Sequence, residues 1–175
     1  MARDNKRPRT KREKPEYDQK LLDLARVTRV VKGGRRFRFR ATLVIGNRKG
    51  KVGVGIGKGG DVSDAIKKAF DDAKKNMVTV AMSKNTIPHD IFMKSGSAKV
   101  LLKPAREGRG IVAGGAVRAV VDYAGIKDIV SKSLGTSNKI NVARATVKAL
   151  ATFNMPKTRK ARAEKTEKEI EEVKK

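Results

Sequence analysis

The sequence predicts an α+β protein of two small domains between basic arms, and three observations carry that reading. Read as an extended strand, the segment 36–45 puts Phe37, Phe39, Ala41, Leu43 and Ile45 on one face and Arg36, Arg38 and Arg40 on the other. A run at helical spacing follows two strand-like stretches: Val62, Ala65, Ile66, Ala69, Phe70, Ala73 and Met77. Beyond Ser83-Lys84-Asn85 a second set of strand and helix patterns begins. The expected division is a disordered basic arm over 1–20, an α+β domain over 21–84, a C-terminal α/β domain over 85–154, and a charged tail over 155–175.

Each element has its own local reason. Residues 1–20 are rich in Lys, Arg and Pro and nearly devoid of apolar side chains, so they cannot build a core. A first strand is expected near Val27–Val31, and Lys32-Gly33-Gly34-Arg35 reads as a flexible basic turn. Leu43-Val44-Ile45 and Lys51 to Ile56 flank Gly46-Asn47-Arg48-Lys49-Gly50, a hairpin loop by its glycines and Asn. Asp61 is a natural N-cap and Asp64 completes a pattern like a capping box. The helix after it is expected to lie across the apolar face of the hairpins. In the second half, Ile87–Phe92, Lys99–Leu102 and Ile129–Lys132 read as strands, and Gly114–Ala124 as a short helix. Asn138 or Asn141 then leads into a helix carrying Val142, Ala145, Ala149, Leu150 and Phe153.

Composition narrows the partners. The formal net charge is +25 over 175 residues, a statement about partners and solubility that suits contact with phosphates. There is no cysteine, which excludes disulfides and cysteine-ligated zinc, and His89 is the sole histidine. His89 beside Pro88 reads as structural or exposed. No apolar run approaches the ~18–20 residues that cross a bilayer, and no secretory signal opens the chain. No membrane partner, no cofactor and a cytoplasmic location are expected. Asp71, Asp72, Asp122 and Asp128 fall at expected exposed helical or loop positions with no His, Cys or activated Ser beside them, so catalysis is not expected.

Two glycine segments need weighing. Gly55-Ile56-Gly57-Lys58-Gly59-Gly60 matches the dinucleotide fingerprint, but its strand pairs with its predecessor through a tight hairpin instead of opening a βαβ unit. A P-loop fails as well, because Gly59 stands where Ser or Thr is required. The strand instead points Val52, Val54 and Ile56 to a core and leaves Gly53, Gly55 and Gly57 on a face that another backbone or a flat surface can approach closely. Asn47, Arg48, Lys49 and Lys51 crowd the hairpin tip and, with the Arg36, Arg38 and Arg40 row, favour contact with RNA or DNA. Aromatic side chains are scarce, which favours recognition of shape and phosphates in structured RNA. Arg106-Glu107-Gly108-Arg109-Gly110 through Gly114-Gly115 could cradle a phosphate or form a close-packed protein interface.

Taken in order, these residues resemble the bacterial small-subunit ribosomal protein S five family. The resemblance is carried by Arg26-Val27 through Arg35, Gly46 through Lys58, Val62 through Ile66, and Ala73-Lys74-Lys75-Asn76-Met77. It continues in Glu107-Gly108 through Gly115 and in Asn141-Val142 with Arg144-Ala145-Thr146. It implies a first domain like double-stranded-RNA-binding domains, a second βαβ-type domain, and assembly on 16S ribosomal RNA beside proteins S four and S eight. By position, it implies that Lys32, Gly33, Gly34 and Arg35 enter RNA near the decoding neck. Arg26, Thr28 and Arg29 would bind RNA, with Arg26 and Arg29 facing the messenger RNA channel. Lys58, Gly53, Gly55 and Gly57 join the expected RNA-binding set. Glu107, Gly108, Gly110 and Arg118 would lie towards protein S four, with Arg106, Arg109, Gly114 and Gly115 in the same interface.

The expected function is therefore a structural, RNA-binding constituent of the small ribosomal subunit that contributes to assembly, decoding fidelity and the site where mRNA enters. The alternatives are a free-standing double-stranded RNA or nucleoid-binding protein and, more remotely, a nucleotide-dependent enzyme using Gly55 to Gly60.

Overall fold

The computed structural model describes residues 16–153. Most of the expected basic arm (1–15) and the whole charged tail (155–175) lie outside the described residues. In chain order the elements are β1 (Asp18–Val31), β2 (Gly34–Gly46), β3 (Lys51–Gly59), α1 (Val62–Lys75), β4 (Met77–Thr79), β5 (Ile91–Ser95), β6 (Ala98–Pro104), β7 (Ile111–Val112), α2 (Gly115–Ala124), β8 (Ile129–Leu134) and α3 (Lys139–Thr152). They build two four-stranded sheets, ordered β1-β2-β3-β4 and β5-β6-β8-β7. The first sheet is antiparallel throughout. In the second, β7 runs parallel to β8, joined to it through α2. The chain is thus a two-domain α+β protein.

Register decides what the first sheet packs against. Ala41 pairs with Gly57, Leu43 with Gly55 and Ile45 with Gly53. Antiparallel partners share a face, so the glycine row of β3 lies on the same side as the apolar row of β2. On that side sits α1, whose Ala65, Ala69 and Ala73 recur one helical turn apart and are fully buried with Ala41, Leu43 and Ile45. A strand row of glycines against a helix row of alanines lets two backbones meet closely. On the other face, Val44, Val52 and Val54 join Val100, Leu102, Val117, Val120, Ala149 and Leu150 in one core shared by both halves. The helix lies across the apolar row of β2, and of the two approaches expected at the glycine row of β3 it is a backbone, that of α1, that closes on it.

Several boundaries differ from the sequence expectation. β1 begins at Asp18, well before Val27, with an irregularity between Leu21 and Asp23. β5 occupies Ile91–Ser95 and not Ile87–Phe92, and Ile87 is instead buried in the shared core. Asp61 stands at the N-cap of α1 without a side-chain cap bond, whereas the Asn138 side chain accepts from the Ile140 N–H at 3.1 Å. The segment around Ser83-Lys84-Asn85 is anchored: Ser83 and Thr86 bridge, and the Asn85 carbonyl accepts from the Lys127 and Asp128 amides.

Candidate nucleic-acid interface

The β1–β2 pair outruns its sheet. It is continuous from Asp18 opposite Gly46 to Val31 opposite Gly34, whereas β3 covers β2 only from Phe39 to Gly46. Between Val27 and Arg38 the chain is therefore a two-stranded ribbon with both faces uncovered, ending in the turn at Lys32-Gly33. Gly34 has φ +138°, a conformation that side-chain-bearing residues rarely adopt, and no atom lies within 4 Å of a Cβ built on Gly33 or Gly34. Lys32, Gly33, Gly34 and Arg35 form an open basic tip.

One face of the ribbon is cationic. Arg29 pairs with Arg36 and Val27 with Arg38, and Lys58 of β3 continues the surface beside Arg40. A groove of about 520 Å³ is lined by Val27, Thr28, Arg29, Val31, Arg36, Arg38 and Lys58, with no carboxylate among them. Like charges directly opposite on a sheet repel, and a bound phosphate relieves that repulsion. Arg40 departs from the expected row. It is half-buried, lies 4.0 Å from Asp23, and its Nε is buried without a partner. Asp23 is also held by Lys139 of α3 at 3.0 Å. The exposed arginine row of β2 ends at Arg38.

The opposite face carries a feature that alternation alone hid. The Arg26 guanidinium lies 3.6 Å from the centroid of the Phe37 ring, a cation–π contact. Phe37 does not belong to the core and is 47% exposed. The helix-covered face starts at Phe39, which pairs with the last residue of β3. That pairing could not be read without the register.

Two groups expected to bind RNA serve the fold instead. Cβ atoms built on Gly53, Gly55 and Gly57 would overlap the carbonyl oxygens of Ala73, Ala69 and Ala65. These glycines face α1 and are closed to RNA, whereas Lys58 and Gly60 stay exposed. At the hairpin tip, the Asn47 side chain accepts from the Lys49 and Lys51 amides at 2.8 and 3.0 Å. The Arg48 amide donates to the Tyr123 carbonyl at 3.1 Å and the Gly50 amide to Ala124 at 2.9 Å, so the tip docks on the end of α2. Arg48 further pairs with Asp18 at 3.3 Å and lies over Tyr123. Asn47 and Arg48 make internal ties, yet Arg48 stays exposed and stands with Lys49 and Lys51 as the exposed basic groups there. A cavity of about 850 Å³ adjoins this junction between Tyr17, Phe70 and Tyr123. A hydrogen bond with Glu16 holds the Tyr17 phenol above its ordinary value of 10.0.

The second loop stands apart from the ribbon in sequence and lies in the other sheet's domain. Arg106, Glu107, Gly108 and Arg109 are exposed, with positive φ at Gly108 and Gly110. Its base is tied by Asp128, whose Oδ1 accepts from the Gly110 amide at 2.8 Å. Asp128 is 5% exposed, so the expected solvated loop acid is a buried anchor. Gly114 caps α2 through its backbone, with Gly115 and the exposed Arg118 following. Asp72 is likewise structural, accepting from the Ile56 amide at 2.9 Å. His89 is exposed and meets Phe153 edge-on at 5.0 Å. Among the described residues no group of His, Cys, Asp and Glu could hold a metal, and no helix is long and apolar enough to cross a membrane.

Comparison with known proteins agrees with this architecture. Residues 17–81 match the family model of the ribosomal protein S5 N-terminal domain, and residues 93–164 that of the S5 C-terminal domain. Small ribosomal subunit protein uS5 of Campylobacter jejuni strain 81-176 is 57% identical over 135 residues, covering 77% of this chain and 92% of the relative. The protein of the same name from strain RM1221 matches to the same extent. With both domain models matched in order and a relative this similar across most of its length, the chain belongs to the ribosomal protein S5 family, whose members are structural proteins of the ribosome and not enzymes.

Proposed function

We propose that this chain holds 16S ribosomal RNA within the small ribosomal subunit through the cationic β1–β2 ribbon. The family and its relatives, named as small ribosomal subunit proteins, make the chain a constituent of that subunit. The observation that carries the finer reading is the carboxylate-free groove of Arg29, Arg36, Arg38 and Lys58 on a ribbon that no other element covers. Guanidiniums present planar donors to phosphate oxygens and remain charged at any physiological pH. The protein acts by position and charge: the ribbon reaches between RNA segments and neutralises their phosphates, and the fold holds it at a fixed angle.

The remaining roles rest on the family resemblance. Arg29 on the cationic face and Arg26 on the opposite face at the ribbon's base lie along the path of messenger RNA where it enters the subunit. The loop Arg106–Gly110 with Gly114, Gly115 and Arg118 meets protein S four, where it bears on decoding fidelity, and protein S eight is a further neighbour. The test is binding of the full chain to 16S ribosomal RNA against salt. A protein making ~6–10 phosphate contacts loses ~10³–10⁵ in affinity between 50 and 200 mM salt. Binding that does not respond to salt would overturn the electrostatic reading.

A further inference from the structure

The second sheet buries one face and leaves the other open. Ala98, Val100, Leu102 and Ile129 point inward to the core shared with α2 and α3. Alternation turns their neighbours outward. Lys94 lies directly opposite Lys99, while Lys132 lies opposite Leu101. Lys132 is therefore a diagonal neighbour of both Lys99 and Lys103, roughly 7–8 Å away on an antiparallel pair. The lysines form a continuous track across β5, β6 and β8. Phe92, 56% exposed, and Leu134, 42% exposed, lie on the same face, opposite Leu101 and Lys99 respectively.

Left alone, this face is electrostatically unfavourable. Like charges facing each other across strands destabilise a sheet, and β5, β6, β7 and β8 contain no Asp or Glu to relieve them. The ion pairs among the described residues involve Arg40, Arg48 and Lys139 and none of these lysines. Lysine is depleted in protein–protein interfaces, so a lysine track interleaved with apolar side chains favours a polyanion over a protein. Flexible lysine stems follow phosphates, and an exposed ring offers a stacking surface to a base.

We propose that the open face of the second sheet is a second RNA-docking surface, separate from the ribbon. Phosphates of a ribosomal RNA strand follow Lys94, Lys99, Lys132 and Lys103, and an unstacked base or ribose rests on Phe92. The proposal rests on the reading of the chain as a ribosomal RNA-binding protein. Because the two halves share one core, two docking surfaces on one body raise the effective concentration of each RNA contact once the other is made.

The test uses the full chain with 16S ribosomal RNA and compares Lys99→Gln/Lys132→Gln with the ribbon variant Arg36→Gln/Arg38→Gln. Both sheet positions are exposed and their charges repel one another, so thermal unfolding should be unchanged or slightly raised. Binding should weaken about 10-fold or more and the salt slope should fall by about 2. Lys99→Arg/Lys132→Arg should restore both, and ultraviolet cross-linking should place RNA on the Phe92 peptide. Wild-type affinity and slope in the sheet variant, with loss in the ribbon variant, would overturn the second surface and leave the ribbon reading standing. Cross-links from these lysines to a neighbouring protein in the assembled subunit would also overturn it. A wild-type chain that binds no ribosomal RNA would instead remove the underlying reading.

Discussion

The carbonyl oxygen of Ala69 in α1 occupies the place that a Cβ on Gly55 of β3 would take, and the Cα of Ala73 lies 2.8 Å from the same point. The closeness of helix to sheet depends on this absence of a side chain, and the sheet in turn roots the ribbon. Gly55→Ala should therefore destabilise the protein by about 1–3 kcal/mol, the usual range for overpacking. Gly60→Ala meets no atom within 4 Å and has no positive φ. It should change stability by less than ~0.5 kcal/mol. Chemical denaturation of the two variants checks the contrast.

The arginines of β2 should separate by environment. Arg36→Gln and Arg38→Gln should each weaken RNA binding several-fold and lower the salt slope by about 1, without lowering the unfolding midpoint. Arg40→Gln should affect RNA binding less, because its guanidinium is turned towards Asp23 and half-buried. Filter binding at several salt concentrations distinguishes the three.

Asp128 should matter to the second loop through its hydrogen bond to the Gly110 amide. Hydrogen bonds to charged groups contribute about 1.5–3 kcal/mol. Asp128→Ala should cost about that much and accelerate amide exchange at Gly110. Asp128→Asn keeps an acceptor and should have a smaller effect on both.

The two helix caps make a matched pair. Asn138 accepts from the Ile140 amide, whereas Asp61 makes no such bond. Asn138→Ala should cost about 1 kcal/mol, and Asp61→Ala distinctly less. Thermal unfolding measures both.

Much of this was legible in the sequence, and the failures have definite causes. The segment from Phe39 to Ile45 and the alanine stripe of α1 follow from periodicity alone. The glycine row of β3 was placed on the wrong side because alternation tells which residues share a face within a strand, while pairing across strands decides which faces coincide. The pairing of Leu43 with Gly55 settles it. A signal was present: Ala65, Ala69 and Ala73 are small residues at one-turn spacing, as expected of a helix that meets glycines. β4 and β7, of three and two residues, are too short to show a period. β1 was read short because its first half, Asp18–Arg26, is an edge strand whose alternation is broken by the irregularity between Leu21 and Asp23. Asp128 looked like a solvated loop charge and Arg48 like a nucleic-acid contact, and only tertiary packing gives them partners within the chain.

Sucrose-gradient sedimentation after a high-salt wash, with quantitative mass spectrometry of the fractions, tests the central claim most directly. One copy of the chain per small ribosomal subunit is the predicted result. Release of the chain into the soluble top fractions, with small subunits left intact, would contradict it and point to a free-standing nucleic-acid-binding protein.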